Sequence, residues 1–184
     1  MVRVAPYSDV EATSTASKTS GLAPRSARME SRRWDSIVVH HSGHPLDDHE
    51  SIARRHRDQL GFSELGYHFV IGNGSKGLGD GEAFVSARWD RQLDGAHVPS
   101  NSGAFERSLA NNQQSIGICL VGNGNVRQFS PAQIDRLLAV IFRLQRDFDI
   151  PDEKVLLASD VSTVTSPGRV FPATEFEQRL ALED

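Results

Sequence analysis

Residues 36–41 carry the sequence SIVVHH, and this stretch decides the fold. Ser36 to His40 form a β-branched run that ends in polar side chains, which is typical of a buried central strand. Side chains alternate between the two faces of a strand, so His40 and His41 are predicted to point in opposite directions. Ligands of α/β proteins commonly bind where strands end. One histidine is therefore expected to face a cleft while the other packs or hydrogen-bonds behind it.

Three further segments show strand patterns. Residues 67–71 and 115–121 are mostly apolar, and each is followed by Gly-Asn-Gly, a turn that favours positive φ. Residues 154–158 form a shorter apolar run. These segments predict three more strands beside residues 36–40.

Three segments show helical patterns, over residues 48–60, 130–148 and 175–182. The first has Asp47 or Asp48 as its expected N-cap, a repeat of positions 52, 56 and 60, and Gly61 beyond its end. The second starts with a capping box between Ser130 and Gln133 and continues as one apolar stripe. Strands that alternate with helices predict an α/β domain with a mostly buried sheet and helices packed on it.

Residues 1–33 differ in composition from the rest of the chain. They are rich in Ser, Thr, Ala and Arg and lack periodicity, which predicts a mobile N-terminal arm ahead of one domain over residues 34–184. The arm holds six Lys/Arg against three Asp/Glu, so the net charge of −4 divides into +3 and −7. This acidic domain is not expected to bind nucleic acid.

The remaining composition restricts the class of protein. No apolar run approaches the ~20 residues of a membrane helix, so no membrane span is expected. Cys119 is the single cysteine of the 184 residues, which excludes an intrachain disulfide. No apolar signal core is visible in the first thirty residues, and both the cell envelope and the cytoplasm stay open as compartments.

The candidate chemistry lies in one part of the chain, because all seven histidines fall between positions 40 and 97. The pair of His40 and His41, with His44 nearby and His97 further along, favours a site. Zinc needs three protein ligands and a water, or four protein ligands, so two histidines do not complete a metal centre. The run DDHE at 47–50 resembles a metal cluster, but helix geometry spreads neighbouring side chains apart and favours a capped helix start. His56 and Cys119 are predicted to be a core-edge residue and a buried thiol.

Five segments in sequence order resemble blocks of the zinc-dependent N-acetylmuramoyl-L-alanine amidase and peptidoglycan-recognition family. They are IVVHHS at 37–42, LGYHFVI at 65–71, GAH at 95–97, NQQSIGICLVG at 112–122 and SPG at 166–168. The resemblance implies a mixed central β-sheet flanked by helices, in agreement with the α/β pattern.

The resemblance also implies a site. In active members zinc is bound by the first histidine of the pair, a later histidine, and a cysteine or aspartate before Pro-Gly. The metal activates a water and polarises the scissile amide. His40 matches the first ligand, and Tyr67 matches a tyrosine that stabilises the transition state, so Tyr67 is catalytic if the domain is active. His97 matches a cleft histidine that is not a standard ligand.

The other two zinc-ligand positions hold residues that do not replace the family's side chains. The later histidine position is Ala158, or Ser159 if one residue is lost, and the cysteine position is Ser166. With one protein ligand left, zinc affinity is expected to fall by many orders of magnitude. We therefore expect no cofactor, or zinc only in a rearranged site.

Three functions follow from these observations. The first is a zinc-free domain that binds peptidoglycan or muropeptides, with Arg88 pairing with a stem-peptide carboxylate. Its expected binding residues are His40, Tyr67, His68, Arg88, Trp89 and His97. The second is an active amidase in which His44 or His97 joins His40 and Asp160 supplies the missing ligand. The third is reuse of the fold for protein–protein contact.

Overall fold

A five-stranded mixed sheet forms the centre of the computed structural model, which describes residues 34–98 and 112–182. The strand order is β3-β2-β4-β1-β5. The strands are β1 Ser36–His41, β2 Phe69–Ile71, β3 Ala83–Val85, β4 Ser115–Leu120 and β5 Val155–Leu157. The predicted α/β fold with a mixed, flanked sheet is confirmed. The predicted arm over residues 1–33 lies outside the described residues.

Strand pairing places the end of β1 in the middle of the sheet. Strand β1 runs parallel to β4 and β5, β2 runs parallel to β4, and only β3 pairs antiparallel, along β2. His40 lies beside Cys119, which in turn lies beside Val70. Three parallel strands therefore end together near His40 and His41.

Besides a short 3-10 helix at Asp152–Lys154, five α-helices with described bounds flank the sheet. They are α1 His49–Leu60, α2 Ala87–Asp90, α3 Pro131–Phe148, α4 Ala158–Val161 and α5 Ala173–Leu180. Asp48 caps α1 and Gly61 ends it in the left-handed conformation, with φ of 69°. Ser130 and Gln133 form the predicted capping box of α3. The sequence thus predicted both ends of α1 and the start of α3.

Two apolar clusters cover the two faces of the sheet. The larger one lies under α3 and α5 and takes alternate strand residues such as Val39, Phe69 and Ile118. The smaller one lies under α1 and takes residues such as Val70 and Cys119. Cys119 is fully buried, as predicted. The second face has fewer apolar residues because histidines take several of its positions.

The structure corrects several boundaries. Strand β2 starts at 69, not 67, and β3, α2 and α4 were not predicted, since each has only three or four residues. Residue 158 starts a helix instead of ending a strand. Leu60, placed on the inner side of α1 with His56, is 57% exposed, whereas His56 is buried. No described helix has the length and apolar character that a bilayer crossing requires.

Candidate functional site around His40

His40 and His97 are hydrogen-bonded to each other beneath the end of β1. The Nε2 atom of His40 lies 3.0 Å from Nδ1 of His97, and both residues are buried. Nε2 of His97 lies 3.4 Å from the carbonyl oxygen of Ser115. A carbonyl only accepts, so the His97 proton belongs on Nε2, and Nδ1 of His97 accepts from Nε2–H of His40. The two rings therefore form a directed chain from His40 to the carbonyl of Ser115.

Close packing fixes the position of the His97 ring. A Cβ atom added at Gly117 would lie 2.3 Å from Cδ2 of His97, and one added at Gly95 would lie 2.4 Å from it. The Oδ1 atom of Asn112 accepts the backbone N–H groups of His97 and Val98, at 2.9 and 3.0 Å. The ring therefore fills a slot that only glycine leaves open. Sequence reasoning did not assign this role to Gly95, Gly117 or Asn112, although all three lie in the quoted blocks.

Burial keeps both rings neutral. It lowers the pKa of His97 to about 3, and the nearby His68 acts in the same direction. Burial, together with the neighbouring His97, also lowers the pKa of His40 well below its usual range. With its proton on Nε2, neutral His40 carries its lone pair on Nδ1. Among the described residues His97 is the hydrogen-bond partner of the His40 side chain, which is 3% exposed.

Tyr67 lies beside the histidine pair. Its ring centre is 5.2 Å from that of His40 and 5.4 Å from that of His56. Burial raises the pKa of Tyr67 well above its usual range, and the nearby Cys119 thiol adds to this effect. The phenol therefore keeps its proton and can donate a hydrogen bond. His56 also stays neutral, because burial lowers its pKa to about 4.

His41 points to the opposite face from His40. Its Nδ1 atom lies 2.7 Å from the carbonyl oxygen of Pro167 and 3.1 Å from the backbone nitrogen of Gly124, and its backbone N–H donates to Oγ of Ser166 over 2.8 Å. These bonds hold the turn at 166–168 against the end of β1. The hydroxyl at the family's cysteine position is thus bound to the backbone.

The residues at the family's zinc positions do not fit zinc. Ala158 is fully buried and offers a methyl group, Ser159 is exposed, and Ser166 offers a hydroxyl. Zinc sites are built from imidazole, thiolate and carboxylate groups. Within residues 34–98 and 112–182, no three His, Cys, Asp or Glu side chains are grouped so that they could hold a metal.

The rearranged zinc site of the second predicted function is therefore not assembled from the described residues. His44 is exposed, and its Nδ1 accepts the backbone N–H of Leu46. The carboxylate of Asp160 accepts the backbone N–H of Leu157. Of the proposed additional ligands, only His97 lies against His40.

The other predicted binding residues lie deeper or elsewhere. His68 is fully buried; its Nδ1 accepts from Gly117 and its Nε2 donates to the carbonyl of Leu93. Trp89 packs with Trp34 and Phe69 against the larger cluster, away from His40. Arg88 is buried as well, so the structure brings together His40, Tyr67 and His97 from this set.

Backbone and carboxylate groups hold the Arg88 guanidinium in place. It donates to the carbonyl oxygens of Leu65 and Asp94 and pairs with Glu64 at 3.7 Å. Burial lowers the pKa of Arg88, while Glu64 opposes that shift. Arg88 thus ties the segment before Tyr67 to the segment before His97.

The fold and the His40–Tyr67–His97 site are those of an α/β domain of the zinc amidase type. The sequence profile of the N-acetylmuramoyl-L-alanine amidase family matches residues 30–169. The chain belongs to this family.

Individual proteins support the assignment. The amidase LysC from Clostridium intestinale URNW superimposes with a TM-score of 0.67 at 26% identity, over 82% of this chain and 87% of that chain. Peptidoglycan-recognition protein 1 of Holotrichia diomphalia is 27% identical over 152 residues, which are 75% of this chain and 66% of that protein. Peptidoglycan-recognition protein SC2 of Drosophila melanogaster is 33% identical over 85 residues, 46% of this chain and 36% of that protein. The chain thus spans about a third to two thirds of these two relatives.

Proposed function

We propose that this domain binds peptidoglycan or its muropeptide fragments at the site around His40 and does not hydrolyse them. Membership of the amidase family and similarity to peptidoglycan-recognition proteins support the ligand class. The observation that carries the proposal is the set of residues around His40. The inherited histidine and tyrosine remain, while the two other zinc positions hold a buried methyl group and a hydroxyl bound by the backbone of His41.

The chemistry of the retained residues suits binding. Nδ1 of His40 is an acceptor, because the ring carries its proton on Nε2 and donates it to His97. Tyr67 keeps its phenolic proton and supplies a donor. Acetamido groups and peptide bonds present both N–H donors and carbonyl acceptors, so a glycopeptide can satisfy both residues. A rigid, neutral pair of this kind recognises an uncharged part of the ligand.

The proposed lack of hydrolysis follows from the small number of side chains that could bind zinc. Amide hydrolysis in this family depends on a metal-activated water, and one imidazole cannot retain zinc against dialysis. The Cys119 thiol lies beside His40 in the sheet, but it is fully buried, and burial raises its pKa, so it stays a neutral thiol. The Ser166 oxygen accepts a hydrogen bond from the backbone N–H of His41.

Sedimentation with insoluble peptidoglycan tests binding. The full chain should co-sediment at moderate salt, and Tyr67→Phe, which removes only the hydroxyl, should bind several-fold more weakly. His44→Gln is the matched control, because His44 is exposed and takes no part in the His40–His97 pair. If the protein stays in the supernatant at moderate salt, the binding function is wrong and a protein-contact role is favoured.

Metal analysis and a release assay test the absence of hydrolysis. After dialysis, the protein should contain far less than one zinc per chain, and no stem peptides should appear in solution with or without added zinc. Release of stem peptides that EDTA abolishes would show instead an active amidase with a rearranged site.

A further inference from the structure

A cavity lies along helix α1, apart from the His40 site. It has a volume of about 360 Å³ and opens between α1, residues 64–65, strand β3 and helix α2. This volume is in the range of small-ligand pockets, roughly 300 to 1,000 Å³. None of His40, Tyr67 and His97 lines it. The cavity is therefore lined by other residues than those of the His40 site.

The cavity has an apolar floor with one unsatisfied polar atom. Leu65, Phe84 and Ala53 supply apolar surface. The ring of His49 stacks on Phe84, with centres 3.8 Å apart and planes 16° apart. Nδ1 of His49 is enclosed and has no hydrogen-bond partner among the described residues. This nitrogen is closed off from solvent, so a ligand in the cavity can contact the face or edge of the ring but not Nδ1.

The charged side chains around the cavity leave an excess of positive charge. Glu64 is paired with Arg88 and Arg91. Arg54 and Arg57 line the cavity and make no salt bridge within the described part of the chain, where Glu50 is the only other lining carboxylate. Two guanidinium groups against one carboxylate favour an anion, and guanidinium groups bind carboxylates in a bidentate manner.

We propose that this cavity binds an amphipathic carboxylate, that is, a carboxylate carried on an apolar chain or ring. The carboxylate lies between Arg54 and Arg57, and the apolar part packs on Phe84 and Leu65. This site goes beyond the proposed function, since it shares no residue with the His40 site.

A titration of the full-length chain followed by NMR tests the proposal. The probe is N-acetylphenylalanine, and its carboxamide is a matched ligand of nearly the same shape without the charge. The acid should shift the methyl signals of Ala53, Leu65 and Ala87, which line the cavity. The carboxamide should bind about tenfold more weakly, because it cannot form the charge-assisted bonds.

Three substitutions locate the binding. Arg57→Gln and Arg54→Gln should each weaken binding of the acid about threefold or more, since each removes one charged contact. Arg146→Gln makes the same charge change at an exposed position of α3 that does not line the cavity, and should leave binding unchanged. The proposal is wrong if the acid causes no shifts at about 10 mM, if the carboxamide binds equally well, or if Arg146→Gln weakens binding as much as Arg57→Gln.

Discussion

Acidification should destabilise this domain well before its carboxylates are protonated, because His97 is buried as a neutral ring. In the unfolded chain His97 has a pKa near 6.5, whereas burial lowers it to about 3 in the folded domain. Between these values the unfolded state binds one proton more than the folded state, so stability falls as the pH falls. From about pH 7 to about pH 5, His97 alone removes ~2 kcal/mol of the free energy of unfolding. His40 and His56 act in the same direction.

Urea denaturation at a series of pH values measures this loss. The range from about pH 7 to about pH 5 isolates the histidines. Asp47 and Asp48 have lowered pKa values, so the stability that they contribute is lost only at lower pH. His97→Gln keeps a side chain that hydrogen-bonds and removes the titrating group, so its stability should fall by ~2 kcal/mol less over the same range. Equal stability at both pH values, or an NMR titration that places the pKa of His97 near 6.5, would refute the reasoning.

Three further predictions test the site and the fold. Gly117→Ala should lower the free energy of unfolding by ~1–3 kcal/mol in urea denaturation, because its Cβ would overlap the His97 ring. Gly79→Ala, which meets only the end of a flexible side chain, should cost less than about 1 kcal/mol, and an equal loss in both variants would contradict the packing argument. Ser130→Ala should cost ~1 kcal/mol through the lost N-cap of α3, and an unchanged denaturation midpoint would show that the cap contributes nothing. Nitrogen-15 NMR at neutral pH should find the protons of His40 and His97 on Nε2; a proton on Nδ1 of His97 would reverse the assigned chain.

Local signals predicted most of the fold. The caps at Asp48 and Ser130, the left-handed end at Gly61 and the apolar stripe of α3 depend on residues within one or two turns of each other, and all were found as predicted. The short elements β3, α2 and α4 were not predicted, because three or four residues carry too little periodicity. The exposure of Leu60 was also missed, since a pattern that repeats every four residues does not show how far the sheet extends beneath the helix.

The same distinction applies to the candidate site, where some features follow from the local sequence and others only from tertiary contacts. The sequence by itself determined that His40 ends a central strand and that His41 faces the other way. These statements need only residue identity and the alternation of side chains along a strand.

Tertiary structure alone decided what these residues contact. It joined His40 to His97, which is 57 positions away, and bound the Ser166 hydroxyl to the backbone of His41. It also buried Arg88 among carbonyl groups. Such contacts depend on how strands distant in sequence are ordered in the sheet and on which side chains leave room for others. No local pattern encodes this information, so a histidine that pairs with another histidine and one that holds a metal look the same in the sequence.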